Sequence, residues 1–325
     1  MQMNRREMLT LLASSMAGAI PLRSWAQGYP DRPITMVVPY PPGASSDMLA
    51  RLVQARMSAA TGRTVIVENK GGAGGNIGAA YVAKSPADGY RILLATQPIV
   101  TINPFLYKNP GFDANKDLAP LTSGVNAVVS LVVHPSLPVN SVAELIEYGK
   151  KHPDELNYGT AGNGTPQHIG GLLFAERAGI TMTHIPYRGG GPMVTDLLAG
   201  QIKVGIVTLS TVKQYIADKR LKVIAIGEKT RFSGTPDIPT IAETLPGFEL
   251  TTWLGFLGPA GMPPNAVDYL VTQLTNALKS DEVKTPLLNA ALLVNPEGPA
   301  ALERVIKADQ DTYSKIIKQY KITNA

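Results

Sequence analysis

Short apolar runs alternate along this chain with stretches whose apolar positions recur every three or four residues. "RPITMVVPY" (32–40), "TVIVEN" (64–69) and "DGYRILLAT" (88–96) have the length and β-branched content of buried strands. Between the first two, Met48, Leu49, Leu52, Val53 and Met57 share one helical face, and Gly62 closes that helix. An alanine-rich segment from Ile77 to Lys84 makes the next helix. A second series begins near Asn126. There "AVVSLVVH", "LNYGT", "MTHIPY", "KVGIVTL" and "LKVIAIG" read as strands separated by helical segments, the first opened by a capping box of Ser141 and Glu144. From Trp253 the pattern turns mainly helical, ending in "ALERVIKADQDTYSKIIKQY", which we read as a return to the first series. Alternation of this kind predicts two α/β domains with largely parallel sheets. Their expected limits are residues 27–126 plus 252–325 for domain 1 and residues 127–251 for domain 2, with two chain crossings at the hinge.

Length and composition agree with two domains: 325 residues, 44% hydrophobic and 17% charged. The 31 glycines and 26 prolines are spread along the chain and mark tight turns. The first 26 residues, "MQMNRREMLTLLASSMAGAIPLRSWA", have a basic start, an apolar stretch from Met8 to Ile20 and small residues before Ala26. This is the pattern of a secretory signal peptide, residues 1–26, and it predicts an exported protein. Arg5-Arg6 fits both the twin-arginine route and an ordinary basic region, with Met8 where the twin-arginine signal usually has Phe. The formal charge is +5, of which Arg5, Arg6, Arg23 and Glu7 supply two, and no dense Lys/Arg cluster remains. Nucleic acid is therefore not an expected partner. With no cysteine, thiol catalysis and cysteine-ligated metal are excluded.

"VENKGGAGGNIGAAYVAK" (67–84) invites a dinucleotide reading, but Ile77 stands where G-x-G-x-x-G needs its third glycine. The following strand ends in Thr96-Gln97, without the acid that would hold the ribose hydroxyls. The glycines are better explained by close helix-to-sheet packing. "PPGASSD" (41–47) and "YGTAGNGTPQH" (158–168) are stronger candidates for a site. In each, a strand runs through small residues into a helix start, with Ser45 or Ser46 as cap in one and Thr165 as cap before Pro166 in the other. Free N–H groups from Gly43 to Asp47 would face the carboxyl edge of the sheet and attract a carboxylate or phosphate. Catalytic signals are weak. There is no G-x-S-x-G elbow, and a Ser-His-Asp reading would pair Ser45 or Ser46 with the distant His168. The four histidines lack metal-ligand spacing, so no metal is expected. His134 and His152 read as surface turn residues, and Arg188 as a solvated arginine before a glycine turn.

Taken together, "YPDRPITMVVPYPPGASSD", "GRTVIVENKGGAGGNIGAAYVAKSPADGY", "LNYGTAGNGTPQH", "HIPYRGGGPMVTDLLAGQI" and "PDIPTIAE" resemble the Bug family of extracytoplasmic solute receptors, over nearly the whole chain after residue 26. These are the substrate-binding proteins of tripartite tricarboxylate transporters. The resemblance implies two Rossmann-like α/β domains joined by a hinge, a periplasmic-binding-protein architecture with the ligand in the interdomain cleft, no catalysis and no cofactor. It also implies a small organic carboxylate as ligand, a dicarboxylate or an aromatic carboxylate, and as partners the membrane permease subunits or a sensor protein, with the receptor a monomer. An exported α/β enzyme, a hydrolase or an NAD(P)-dependent oxidoreductase, is the alternative.

The candidate ligand-binding set is Tyr40, Gly43, Ala44, Ser45, Ser46 and Asp47 in the first loop, and Thr160, Ala161, Gly162, Asn163, Gly164 and Thr165 in the second, joined by His168, Tyr187 and Thr208. Three positions depart from the family pattern. Ala44 replaces a glycine, Tyr40 replaces a phenylalanine, and Thr208 stands where many relatives carry an acid. Without that acid an ammonium group has no counter-charge, which disfavours amino-acid ligands.

Overall fold

A computed structural model describes residues 29–43 and 45–323. The expected signal segment and Ala44 lie outside the described residues. In chain order the elements are β1 (Ile34–Val38), α1 (Ser45–Thr61), β2 (Val65–Asn69), α2 (Asn76–Ala83), β3 (Arg91–Thr96), α3 (Gln97–Thr101), α4 (Asn103–Leu106) and β4 (Leu118–Ala127). They continue with β5 (Val129–Val133), α5 (Val142–Lys151), β6 (Asn157–Thr160), α6 (Pro166–Ala178), β7 (Thr183–Pro186), α7 (Gly190–Leu198), β8 (Val204–Thr208), α8 (Leu209–Ala217) and β9 (Lys222–Ile226). The last are β10 (Thr252–Pro259), α9 (Pro264–Lys279), α10 (Asp281–Asn289), β11 (Leu292–Val294) and α11 (Pro299–Gln319).

Two sheets organise these elements into two lobes. The six-stranded sheet has the order β11-β4-β10-β3-β1-β2, and the five-stranded sheet β7-β6-β8-β5-β9. Each is covered on both faces, which is why the central strands read as continuous apolar runs. On β1, Ile34, Met36 and Val38 face α1, α9 and α10, while Val37 faces α2, α3 and α11. In the second lobe, Val129, Leu131 and Val133 pack with α5 and α6, and Val132 packs with α7 and α8.

The sheets are mixed, which corrects the expectation of largely parallel ones. Strands β1, β2 and β3 are mutually parallel, but β10 runs antiparallel to both β3 and β4. In the second sheet β6, β7 and β8 are parallel, and β5 is antiparallel to β8 and β9. The reversed strands are β10 and β11 in the first sheet and β5 in the second, and two of them, β5 and β10, lie where the chain crosses between lobes. β4 passes into β5 through Val128 alone, and β10 returns beside β4 with Thr252 opposite Ala127. β4 itself escaped the sequence reading because Pro120 and Gly124 interrupt its pattern. The pairing with β10 absorbs them through two register shifts.

The capping box at α5 is only half formed. Ser141 Oγ accepts from Glu144 N at 3.1 Å, but the Glu144 carboxylate accepts from Asn140 N at 2.8 Å instead of from Ser141. The glycine turn before α2 has the packing role expected of it. Gly72, Gly74 and Gly75 have φ of +122°, +64° and +94°, and a Cβ on Gly78 would lie 2.7 Å from Lys70 O and 3.0 Å from Pro39 Cα. Helix α11 joins the lobes. Its Tyr313, Ile316 and Ile317 cluster with Ile102 of α3's C-terminus and Ile169 of α6, and Tyr320 Oη donates to Glu176 Oε2 at 3.2 Å. Among the described residues no helix is long and apolar enough to cross a membrane.

Candidate functional site

Both small-residue loops leave the carboxyl end of a strand and enter a helix, the edge of an open α/β sheet where ligands bind. In the first, α1 begins at Ser45, so Ser45 and Ser46 are helical residues and neither is its cap, contrary to expectation. Their N–H groups and that of Asp47 belong to the first turn, which has no intrahelical acceptors. The Gly43 N–H, expected to be free, donates to Asp47 Oδ2 at 3.1 Å, with Gly43 at φ +92°. Asp47 is buried and fully engaged. Its Oδ2 also accepts from Arg51 Nε at 2.9 Å and its Oδ1 from Asn69 Nδ2 at 2.9 Å. The Arg51 hydrogen bond, with help from Asn69 and Gly43, holds its carboxyl down at about 2 against the cost of burial. Asp47 therefore shapes the loop; an anion would meet the loop's N–H groups. The Tyr40 hydroxyl is hydrogen-bonded to Thr96 Oγ1 at 2.9 Å and its carbonyl to Asn69 Nδ2 at 3.1 Å.

The second loop is built more tightly. Thr165 caps α6, accepting from His168 N at 3.2 Å and donating to Gly162 O at 2.9 Å, with Pro166 at the first helical position. Thr160 is fully buried at the end of β6, its Oγ1 hydrogen-bonded to His184 Nε2 at 2.7 Å and to Gly162 N at 3.3 Å. Ala161 O accepts from Gly189 N at 3.0 Å, which fastens this loop to the one after β7, and Asn163 is exposed. Gly164, at φ +68°, donates its N–H to His168 Nδ1 at 3.1 Å. His168 and His184 stack with ring centroids 3.8 Å apart. Burial pushes His168 down to about 4, and burial with the neighbouring His168 pushes His184 down to about 3. Both rings are neutral near pH 7. With its Nδ1 lone pair taken by Gly164, His168 is poorly placed to serve as the base of a Ser-His pair.

Tyr187 and Thr208 also reach the carboxyl edge of this sheet. The Tyr187 hydroxyl donates to Asp196 Oδ2 at 2.8 Å, and burial together with that carboxylate pushes it up to about 12. It thus offers an aromatic face rather than a free hydroxyl. Thr208 ends β8 and shares a 2.9 Å hydrogen bond with Thr211.

The two lobes touch at this edge, because the side chain of Leu106 in α4 sits where a Cβ on Gly164 would go. Beside it a crevice of ≈ 920 Å³, counting its open mouth, separates Gln97, Trp253, Asp309 and Tyr313 from Gly170, Leu250 and Glu249. Lys229 also lines the crevice and pairs with Glu249 at 3.1 Å, so Asp309 is the carboxylate that makes this wall unfavourable to an anion, which favours the loops as the carboxylate position. Sequence reasoning missed Asn69, Arg51, His184 and Asp196, the partners that fix Asp47, Thr160 and Tyr187. Arg51, four residues on from Asp47 in α1, and Asn69, at a strand end beside the glycine turn, carried local signals. Among the described residues no group of three or more His, Asp or Glu side chains could hold a metal.

Two α/β lobes, each offering a loop and a helix start to a shared cleft edge, define a two-lobed periplasmic binding protein. The chain belongs to the tripartite tricarboxylate transporter receptor family, whose sequence profile matches residues 49–322, and within it to the Bug solute receptors. It is 34% identical to BugT of Bordetella pertussis over 284 residues, covering 86% of this chain and 87% of BugT. The structure of Rpa4515 of R. palustris with adipate superposes with a TM-score of 0.79 at 34% identity, covering 91% of this chain and 99% of the other. MatC from Rhodopseudomonas palustris with bound malate gives 0.74 at 28% identity, covering 89% and 100%. The family consists of solute-binding receptors that act in the periplasm, and the enzyme alternative is not favoured.

Proposed function

We propose that this protein captures a small dicarboxylate between its lobes and delivers it to the membrane permease of a tripartite tricarboxylate transporter, without chemical change to the ligand. The observation that carries the reading is the pair of loop–helix starts, one per lobe, which offer backbone N–H groups and neutral side chains at the carboxyl edges of the two sheets. Such donors suit a carboxylate at each end of a short ligand, since helix starts and loop N–H groups favour anions. Adipate and malate, bound by the two relatives, are dicarboxylates and support the same ligand class.

In this proposal the ligand-contacting groups come from residues 43–47 and 160–165, with Tyr40, His168, Tyr187 and Thr208 lining the space. Domain 1 (27–126 plus 252–325) closes on domain 2 (127–251) by bending at Val128 and at Thr251–Thr252. Export of a monomer by the signal at residues 1–26 completes the proposal. A ligand that binds only the folded state at 100 times its Kd adds about 2.7 kcal/mol of stability. A thermal-shift series with adipate, malate, succinate, NAD⁺ and NADP⁺ therefore tests the reading. We expect stabilisation by at least one dicarboxylate. Stabilisation by a nucleotide with none by any dicarboxylate would overturn it.

A further inference from the structure

The anion-binding loop contains an acid of its own. Asp47 lies in the first turn of α1, its side chain only 7% exposed, with its carboxylate hydrogen-bonded to a loop N–H. Left alone, a fixed negative charge there would repel the carboxylate that the same helix start is placed to receive. One cation stands against it: Arg51, one helical turn on, with Nε 2.9 Å from Asp47 Oδ2. The nearby strand end contributes Glu68 and Lys70, but these face each other at 3.5 Å and cancel. Asn69, also on that strand end, binds Asp47 Oδ1 as a neutral donor and ties it to the Tyr40 carbonyl.

Building on the receptor reading, we infer that Arg51 is a positioning residue of the anion site: it neutralises Asp47 and thereby lets an acid clamp the loop without excluding an anionic ligand. The two roles of Asp47 are separable. Its shape holds Gly43 in place, and its charge is tolerable only with Arg51 beside it. The low carboxyl value set chiefly by Arg51 fits this division, since Asp47 stays ionised at every pH the protein meets.

Calorimetry with succinate and adipate on the mature chain tests it. Arg51→Met is expected to weaken dicarboxylate binding about tenfold, because salt screens the uncompensated charge of the buried Asp47 only slightly. Arg51→Lys, which keeps the charge, recovers most of the affinity. Asp47→Asn removes the charge and keeps the shape, so Asp47→Asn/Arg51→Met binds more tightly than Arg51→Met alone, a non-additivity that loss of fold does not produce. If the Asp47 variant does not fold, the contrast between Arg51→Met and Arg51→Lys decides the matter alone. A wild type that binds dicarboxylates beside an Arg51→Met variant of unchanged affinity, or an Arg51→Lys variant that binds no better than Arg51→Met, would overturn this inference. A wild type that binds no dicarboxylate would overturn the receptor reading and this inference with it.

Discussion

Gly164 is where the second loop meets the first lobe, and replacing it by alanine separates two costs. The backbone there is left-handed, φ +68°, which an L-residue adopts at a cost of about 1–2 kcal/mol. The new methyl would also fall on Leu106 Cδ1, the end of a half-buried, flexible side chain, so overpacking adds only about 1 kcal/mol. Gly164→Ala should therefore destabilise the protein by about 2–3 kcal/mol, a drop in Tm of roughly 4–10 °C for a chain of this size. Leu106→Ala removes the obstacle and leaves the backbone cost in place. Thermal unfolding of the two single variants and the double variant should then show a favourable coupling of about 1 kcal/mol. Strictly additive losses would refute the argument, because they would mean that α4 and the second loop do not touch in solution.

Two further tests address charge. Thr208→Asp should shift preference from succinate toward aspartate in calorimetry, since an acid at the end of β8 would pair the ammonium group; wild type binding aspartate more tightly than succinate would defeat that reasoning. Glu228 is buried, and burial together with Glu249 pushes its carboxyl up to about 7. A raised carboxyl means that the fold binds the proton more tightly than the unfolded chain does, so the group costs stability as pH rises from the ordinary carboxylate range through about 7. Glu228→Gln should thus raise Tm at pH 8 and leave it nearly unchanged at pH 4.5, and equal effects at both would refute the assignment.

Much of the scaffold could be read from residues alone. Strands such as "ITMVV" and "RILLAT" are apolar on both faces because helices cover both sides of the sheet, and a run of that kind is visible without coordinates. Thr165-Pro166 announced α6 because cap and first helical residue are adjacent in sequence. Strand direction was not legible, since the same apolar run pairs either way and the entry of β5 into one sheet and of β10 into the other decides it. Nor was the inward use of polar groups. Asp47, His168 and Tyr187 were rightly singled out by position, yet each spends its polar atoms on partners that lie elsewhere in the chain or on its own loop: Asn69, Gly164 and Asp196. The contacts to Asn69 and Asp196 depend on where separate segments are brought together, and no local spacing encodes them.

The place of β10 also dictates an order of assembly. It lies between β3 and β4 in the first lobe's sheet, although both neighbours are made long before it. Until residues 252–259 arrive, β3 presents an unpaired edge and β4 has no sheet partner, since β11 is made later still, and both are open to pairing with other chains. The second lobe has no such wait, because β5 to β9 form their sheet from one uninterrupted stretch. It can close while the remainder is still emerging, and its closure brings the entry of β5 and the exit after β9 to one end of a finished body. The late strand is then delivered beside β4 by a folded neighbour, which shortens the loop whose closure must be awaited.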